Sequence, residues 1–254
     1  MKRLLFILLL ITSFHFDVQG QVIVNGWRYA APSFKPTDIS DIQLWLAADS
    51  ITGLADTDPI STWPDKSGNG NDATQSGSNR PTFKTADLNG KPVVDFVYGS
   101  AQYFVLTNPI PVTTDLTFFF VYKKTASSIL TPIAGATTDA NGYPSLYEWS
   151  DNYGWFGFNG NNVSYALTNL NGVYGYITLQ SESGLDSVWR NGVNITVNTV
   201  AVATSTVSLQ HIGRVGSGGQ YSQGQIAEII VYDRKITTVE RQQVESYIAT
   251  KYAL

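Results

Sequence analysis

From residue 41 onward, short apolar runs are broken by Gly, Asn, Asp or Pro roughly every ten residues. Strand-length segments separated by turn residues cannot build a helical bundle, and they are what an antiparallel sandwich requires. The spacing therefore predicts an all-β fold: two antiparallel sheets packed as a sandwich, in jelly-roll fashion. The clearest runs are 42–46, 93–98, 103–106, 116–122, 174–179 and 226–232. In the second of these, Val94, Phe96 and Tyr98 oppose Val93, Asp95 and Val97, the period of a half-buried strand. Residues 116–121 are apolar on both faces and predict a central strand covered on both sides.

Turn chemistry supports the same architecture. Asn191-Gly192 lies inside 186–195 and supplies two positive-φ residues for a type I′ hairpin. Asn89-Gly90, Asn141-Gly142 and Asn171-Gly172 are further turn candidates. One helix is expected, at the C-terminus. Thr237 and Glu240 have capping-box spacing, and Val244, Tyr247, Ile248 and Tyr252 fall on one face.

The N-terminus reads as an export signal. Lys2 and Arg3 precede an apolar stretch over 4–14, and small Val18 and Gly20 suit cleavage after Gly20. The stretch is short for a spanning helix and is followed by polar His15, Asp17 and Gln19. Residues 1–20 are thus a signal peptide, 21–37 a lead-in segment, and 38–254 one jelly-roll domain. The expected location is secreted or at the cell surface, with no membrane span in the mature chain. Losing Lys2, Arg3 and Asp17 leaves 14 basic and 19 acidic residues of the original 16 and 20. That acidic balance disfavours nucleic acid as a partner. Cysteine is absent, so the core alone must hold the fold and thiol chemistry is excluded.

Little points to catalysis. His211 is the one histidine beyond the signal, and no nucleophile–base–orienter set accompanies it. Glu148 and Asp151 are the nearest carboxylate pair, but a spacing of three points them to opposite faces of a strand. The glycine-rich 213–219 precedes no helix and so makes no phosphate loop.

Binding is better represented. Tyr147, Trp149, Asp151, Asn152, Tyr153 and Trp155 mix flat aromatic rings with carboxylate and amide groups, the combination that stacks on a pyranose and satisfies its hydroxyls. The same rings could equally be sandwich core. Arg214 and Tyr221, with Gln220 and Gln223, sit in a Gly/Ser-rich segment before the last strand, a second candidate ligand loop. Asp65, Asn69, Asn71 and Asp72 lie in a tight Gly/Asn loop whose oxygens could surround Ca²⁺. A hydrogen-bonded turn with no ion is the other reading of that loop.

Several stretches together resemble one family. Leu44-Trp45-Leu46-Ala47-Ala48-Asp49, Trp63-Pro64-Asp65-Lys66-Ser67-Gly68-Asn69-Gly70-Asn71, Arg80-Pro81-Thr82-Phe83 and Gly90-Lys91-Pro92-Val93-Val94 look like the opening of the concanavalin A-like lectin/glucanase (laminin-G-like) jelly rolls. Gly224-Gln225-Ile226-Ala227-Glu228-Ile229-Ile230-Val231-Tyr232, with the helix after it, looks like their closing strand and helix. The resemblance implies one domain, a glycan ligand and a structural calcium. One departure concerns the calcium: where relatives carry Phe-Asp-Gly, this chain has Phe96-Val97-Tyr98-Gly99. The expected function is a non-catalytic, lectin-like domain that binds a glycan or cell-surface polysaccharide. The alternatives are a surface structural or adhesion protein with protein partners, and a glycoside hydrolase.

Overall fold

A computed structural model describes residues 21–24, 27–30, 33–111, 115–126, 131–135, 145–150, 153–158, 161–166, 171–182, 187–196, 208–216 and 220–254. The chain divides into two compact units, Met1–Phe34 and Lys35–Leu254. In the first, β1 (Gln21–Val24) and β2 (Trp27–Ala30) pair antiparallel, Val24 opposite Trp27. The lead-in thus contains an antiparallel strand pair.

The second unit is an antiparallel β-sandwich. Its strands are β3 (Ile42–Ala47), β4 (Thr62–Trp63), β5 (Ala73–Thr74), β6 (Thr82–Leu88), β7 (Lys91–Phe96), β8 (Phe104–Pro111) and β9 (Leu116–Lys124). There follow β10 (Thr131–Gly135), β11 (Ser145–Ser150), β12 (Tyr153–Phe158), β13 (Asn161–Ala166), β14 (Gly175–Ser181), β15 (Ser187–Arg190) and β16 (Val193–Asn194). The last are β17 (Ser208–Ile212), β18 (Arg214–Val215), β19 (Gln220–Tyr221) and β20 (Gly224–Tyr232), before helix α1 (Thr238–Tyr252). One sheet runs β13-β12-β11-β10-β17-β8-β5-β4; the other runs β16-β15-β14-β9-β20-β7-β6, with β3 also on β20.

The core lies between the sheets. Phe104, Leu106, Ile110, Leu209 and Ile212 meet Leu44, Phe96, Phe118, Phe120, Leu179 and Val231, all buried. Trp63 and Phe96 both pack edge-on against Phe104, at 6.1 and 6.0 Å. Burying each such side chain contributes about 1.5–3 kcal/mol.

Strand β9 is central and covered on both faces, as its composition predicts. Phe118 and Phe120 enter the core, while Phe119 turns outward against Tyr232, ring centroids 6.2 Å apart. Two Asn-Gly pairs are left-handed at both residues, Asn191 and Gly192 at φ 46 and 77, Asn89 and Gly90 at φ 48 and 80, whereas at Asn171-Gly172 only the glycine is, at φ 79. Asn141-Gly142 lies outside the described residues.

Helix α1 seals the outer face of the sheet that carries β9 and β20. Its capping box forms: Thr237 Oγ1 accepts from the Glu240 amide at 3.3 Å, and Glu240 accepts from the Thr237 amide at 2.7 Å. Val244, Ile248 and Tyr252 are buried under it. Between helix and sheet sits Glu228, 1% exposed. It accepts from Trp45 Nε1 (2.5 Å), Tyr247 OH (2.9 Å), Tyr252 OH (2.7 Å) and Lys251 Nζ (3.1 Å). Burial, and then the neighbouring Glu228, push the Tyr247 and Tyr252 phenols well above their usual range. Beside this hub, Glu245 accepts from Thr178 Oγ1 and from Arg241, whose guanidinium lies over Trp189 at 4.3 Å. Among the described residues, no helix is long and apolar enough to cross a membrane.

Candidate functional site

On the eight-stranded sheet, alternation decides which side chains leave the core. Phe104 and Ile212 are register partners and point inward. Their neighbours therefore lie on the outer face, where Thr74, Val105 and His211 form one row across β5, β8 and β17. His211 is buried, its ring edge-on to Tyr103 at 5.5 Å. Tyr103, just before β8, is anchored through its backbone: its amide donates to Asn79 O at 3.2 Å and its carbonyl accepts from Gln75 Nε2 at 3.1 Å.

After β17 the chain must turn sharply. Gly213 does this at φ +80, and a Cβ there would fall 2.4 Å from the Phe96 ring. The short β18–β19 hairpin follows, Arg214 opposite Tyr221 and Val215 opposite Gln220. It lies against β10 at Gly135, where a Cβ would meet Val215 Cγ2 at 2.3 Å.

This folding brings Arg214 onto two rings. Its guanidinium carbon is 4.8 Å from the Tyr103 centroid and 5.6 Å from that of Tyr221, and the rings themselves are 6.0 Å apart. Cation–π contact of this kind contributes about 0.5–2 kcal/mol. It covers the ring faces and leaves the guanidinium edge as the group on offer. Arg214 Nε is buried without a hydrogen-bond partner, and among the described residues the guanidinium has no ion pair. Beside this cluster, Thr74, Gln75, Ser76 and Val105 line an open depression of 280 Å³. Its Thr74 hydroxyl donates to Val105 O at 3.3 Å and its Gln75 amide to Tyr103 O at 3.1 Å, so their oxygens are what faces a ligand as acceptors.

Arg214 and Tyr221, named from sequence, are thus brought together. Tyr103 and His211 join them without sequence warning, because the pairing depends on strand register. Tyr147 and Trp149 belong to β11, Tyr153 and Trp155 to β12, in the same eight-stranded sheet. Tyr147 is the Cα partner of Trp155, and a register shift follows before Ser150 meets Tyr153. Asp151 and Asn152 lie outside the described residues. Glu148 pairs with Gly154 and Thr131.

The 65–72 loop has a different character. Asp65 Oδ1 accepts from the amides of Trp45 and Ser67, both at 2.9 Å. Its Oδ2 accepts from Ser67 Oγ (2.7 Å) and the Asn71 amide (3.0 Å). Asp72 Oδ1 accepts from the Asp65 amide at 2.8 Å, and the side-chain Nδ2 atoms of Asn69 and Asn71 donate to Ile42 O (2.7 Å) and Gln43 O (2.8 Å). Calcium needs six to eight converging oxygens. Here the Asp65 oxygens already serve four donors and both asparagines turn nitrogen inward, so the set does not fit a calcium cage in this conformation. Among the described residues, no group of three or more His, Asp or Glu could hold a metal ion.

No protein-family model matches the sequence, and no curated protein matches it. Solved structures do. The binding domain of Paraclostridial mosquitocidal protein 1 matches at TM-score 0.61 and 11% identity over 85% of this chain and 53% of that one. Domain 4 of an extracellular arabinanase from Geobacillus stearothermophilus, solved with arabinotriose, matches at TM-score 0.52 and 14% identity over 80% and 96%. A Trypanosoma rangeli sialidase mutant displaying trans-sialidase activity matches at TM-score 0.55 and 14% identity, over 84% of this chain but 33% of its own. This chain therefore spans about a third of the sialidase and about half of the mosquitocidal domain. At these identities the likeness is one of fold: a two-sheet β-sandwich shared with domains of a sialidase, an arabinanase and a mosquitocidal protein.

Proposed function

We propose that this chain is an exported, non-catalytic carbohydrate-binding domain whose glycan lies on the outer face of the eight-stranded sheet. The observation that carries this reading is the Tyr103–Arg214–Tyr221 cluster beside a 280 Å³ polar depression. It sets a guanidinium with an unpartnered Nε near a depression lined by hydroxyl and amide side chains, chemistry that suits sugar hydroxyls. The arabinanase domain of the same fold was solved with arabinotriose, which supports a sugar ligand on such a scaffold. Tyr147, Trp149, Tyr153 and Trp155, on β11 and β12 of the same sheet, extend the proposed site as candidate stacking groups, with Asp151 and Asn152 between them in sequence. The 65–72 loop acts as a self-sufficient turn, with no calcium required.

A glycan array on the full chain tests the proposal. Binding to at least one glycan class is expected, with loss in Arg214→Ala and Tyr221→Ala proteins that melt like the wild type. Binding to no glycan, together with self-association in solution, would overturn it in favour of a protein-contact role. Hydrolysis of a bound glycan, lost in Glu148→Gln or Asp151→Asn, would overturn its non-catalytic part.

A further inference from the structure

Several cations of the described domain close on carboxylates: Arg234 on Asp41 and Glu240, Arg241 on Glu245, Lys251 on Asp49 and Glu228, Lys123 on Asp87. Arg214 does not. Two tyrosines hold its plane, its Nε is buried without a partner, and no carboxylate among the described residues approaches it. A guanidinium fixed in this way has already lost its rotamer freedom, so an incoming anion gains its hydrogen bonds with little further ordering. Its planar fork matches a carboxylate, which accepts two parallel N–H bonds. Gln75, whose Nε2 holds the carbonyl of Tyr103, joins Thr74 and Ser76 along a depression where their side-chain oxygens can accept from sugar hydroxyls. A ligand that satisfies both neighbours at once carries a carboxylate on a polyhydroxylated ring.

We propose that Arg214 takes the carboxylate of an acidic sugar, so that the domain selects uronate-type glycans over neutral ones. This rests on the glycan-binding reading above and narrows it to a ligand class. The test is calorimetric titration of the full chain with four forms of one oligosaccharide: the free uronic acid, its methyl ester, the carboxyl-reduced neutral sugar and a sulfated analogue. The acid form is expected to bind about 10- to 100-fold tighter than the ester or the neutral form, as for a charge-assisted pair. Arg214→Gln is expected to erase that preference. Arg214→Lys is expected to keep only part of it, since it retains charge without the fork. Thermal melts check both variants, and Arg214→Lys decides if Arg214→Gln fails to fold. Equal binding of acid and ester, a preference that survives Arg214→Gln, or tighter binding of the sulfated form would overturn the proposal while leaving glycan binding intact. Binding of none of the four would count against both readings.

Discussion

Beneath helix α1, the outer face of one sheet holds Glu228 with four donors and Glu245 with two, so that buried charge is met inside the protein. Across the sandwich, the outer face of the eight-stranded sheet holds Arg214 on two tyrosine rings with no carboxylate among the described residues. Burying an ionised group is costly unless its hydrogen bonds are made. The first face meets that cost internally and gains a rigid closure. The second leaves a cation and a polar depression at the surface, where a ligand can complete them. The difference separates a face built for stability from one suited to recognition.

Glu228→Ala probes the sealed face most severely. It removes the shared acceptor of Trp45 Nε1 and the Tyr247 and Tyr252 phenols from a buried interface and leaves Lys251 with Asp49 as its one carboxylate. A loss of about 3–5 kcal/mol is expected in chemical denaturation. Arg214→Gln, by contrast, is expected to cost about 0.5–2 kcal/mol, the loss of its cation–π contacts. Equal losses would erase the distinction between the faces.

Thr237→Ala removes the helix cap and is expected to lower stability by about 1 kcal/mol in the same assay, without altering glycan binding. A smaller effect comes with acid. Hydrogen bonding to Arg234 holds the Glu240 carboxyl at about 2, below its ordinary 4.5. A depressed acid contributes stability above 4.5 that is lost as pH falls toward 2. The melting temperature is therefore expected to drop more steeply over that window in wild type than in Glu240→Gln. The smallest expected effect is none: chelator should leave the melting temperature unchanged, because hydrogen bonds hold the 65–72 loop. A shift of several degrees would reinstate calcium there.

Features set by neighbouring residues were legible in the sequence: the strand alternation, the Asn191-Gly192 hairpin, the Thr237–Glu240 cap and the two-sided burial of Phe118 and Phe119. What depends on register between distant strands was not. Tyr103 meets Arg214 only because β8 pairs with β17 and Gly213 turns the chain back, and neither residue advertises the other. Glu228 was a faint exception, a lone acid inside an apolar strand, which signals a buried partner without naming it. In the 65–72 loop the residue types were plain, but not which way the asparagine amides and the Asp65 oxygens face.

The recognition claim is tested most directly by titrating the isotopically labelled full chain with a uronic-acid oligosaccharide and following amide and side-chain resonances. Shifts confined to Tyr103, Arg214, Tyr221 and residues 74–76, with α1 silent, are the predicted result. No shifts, or shifts centred on α1 and Glu228, would contradict it.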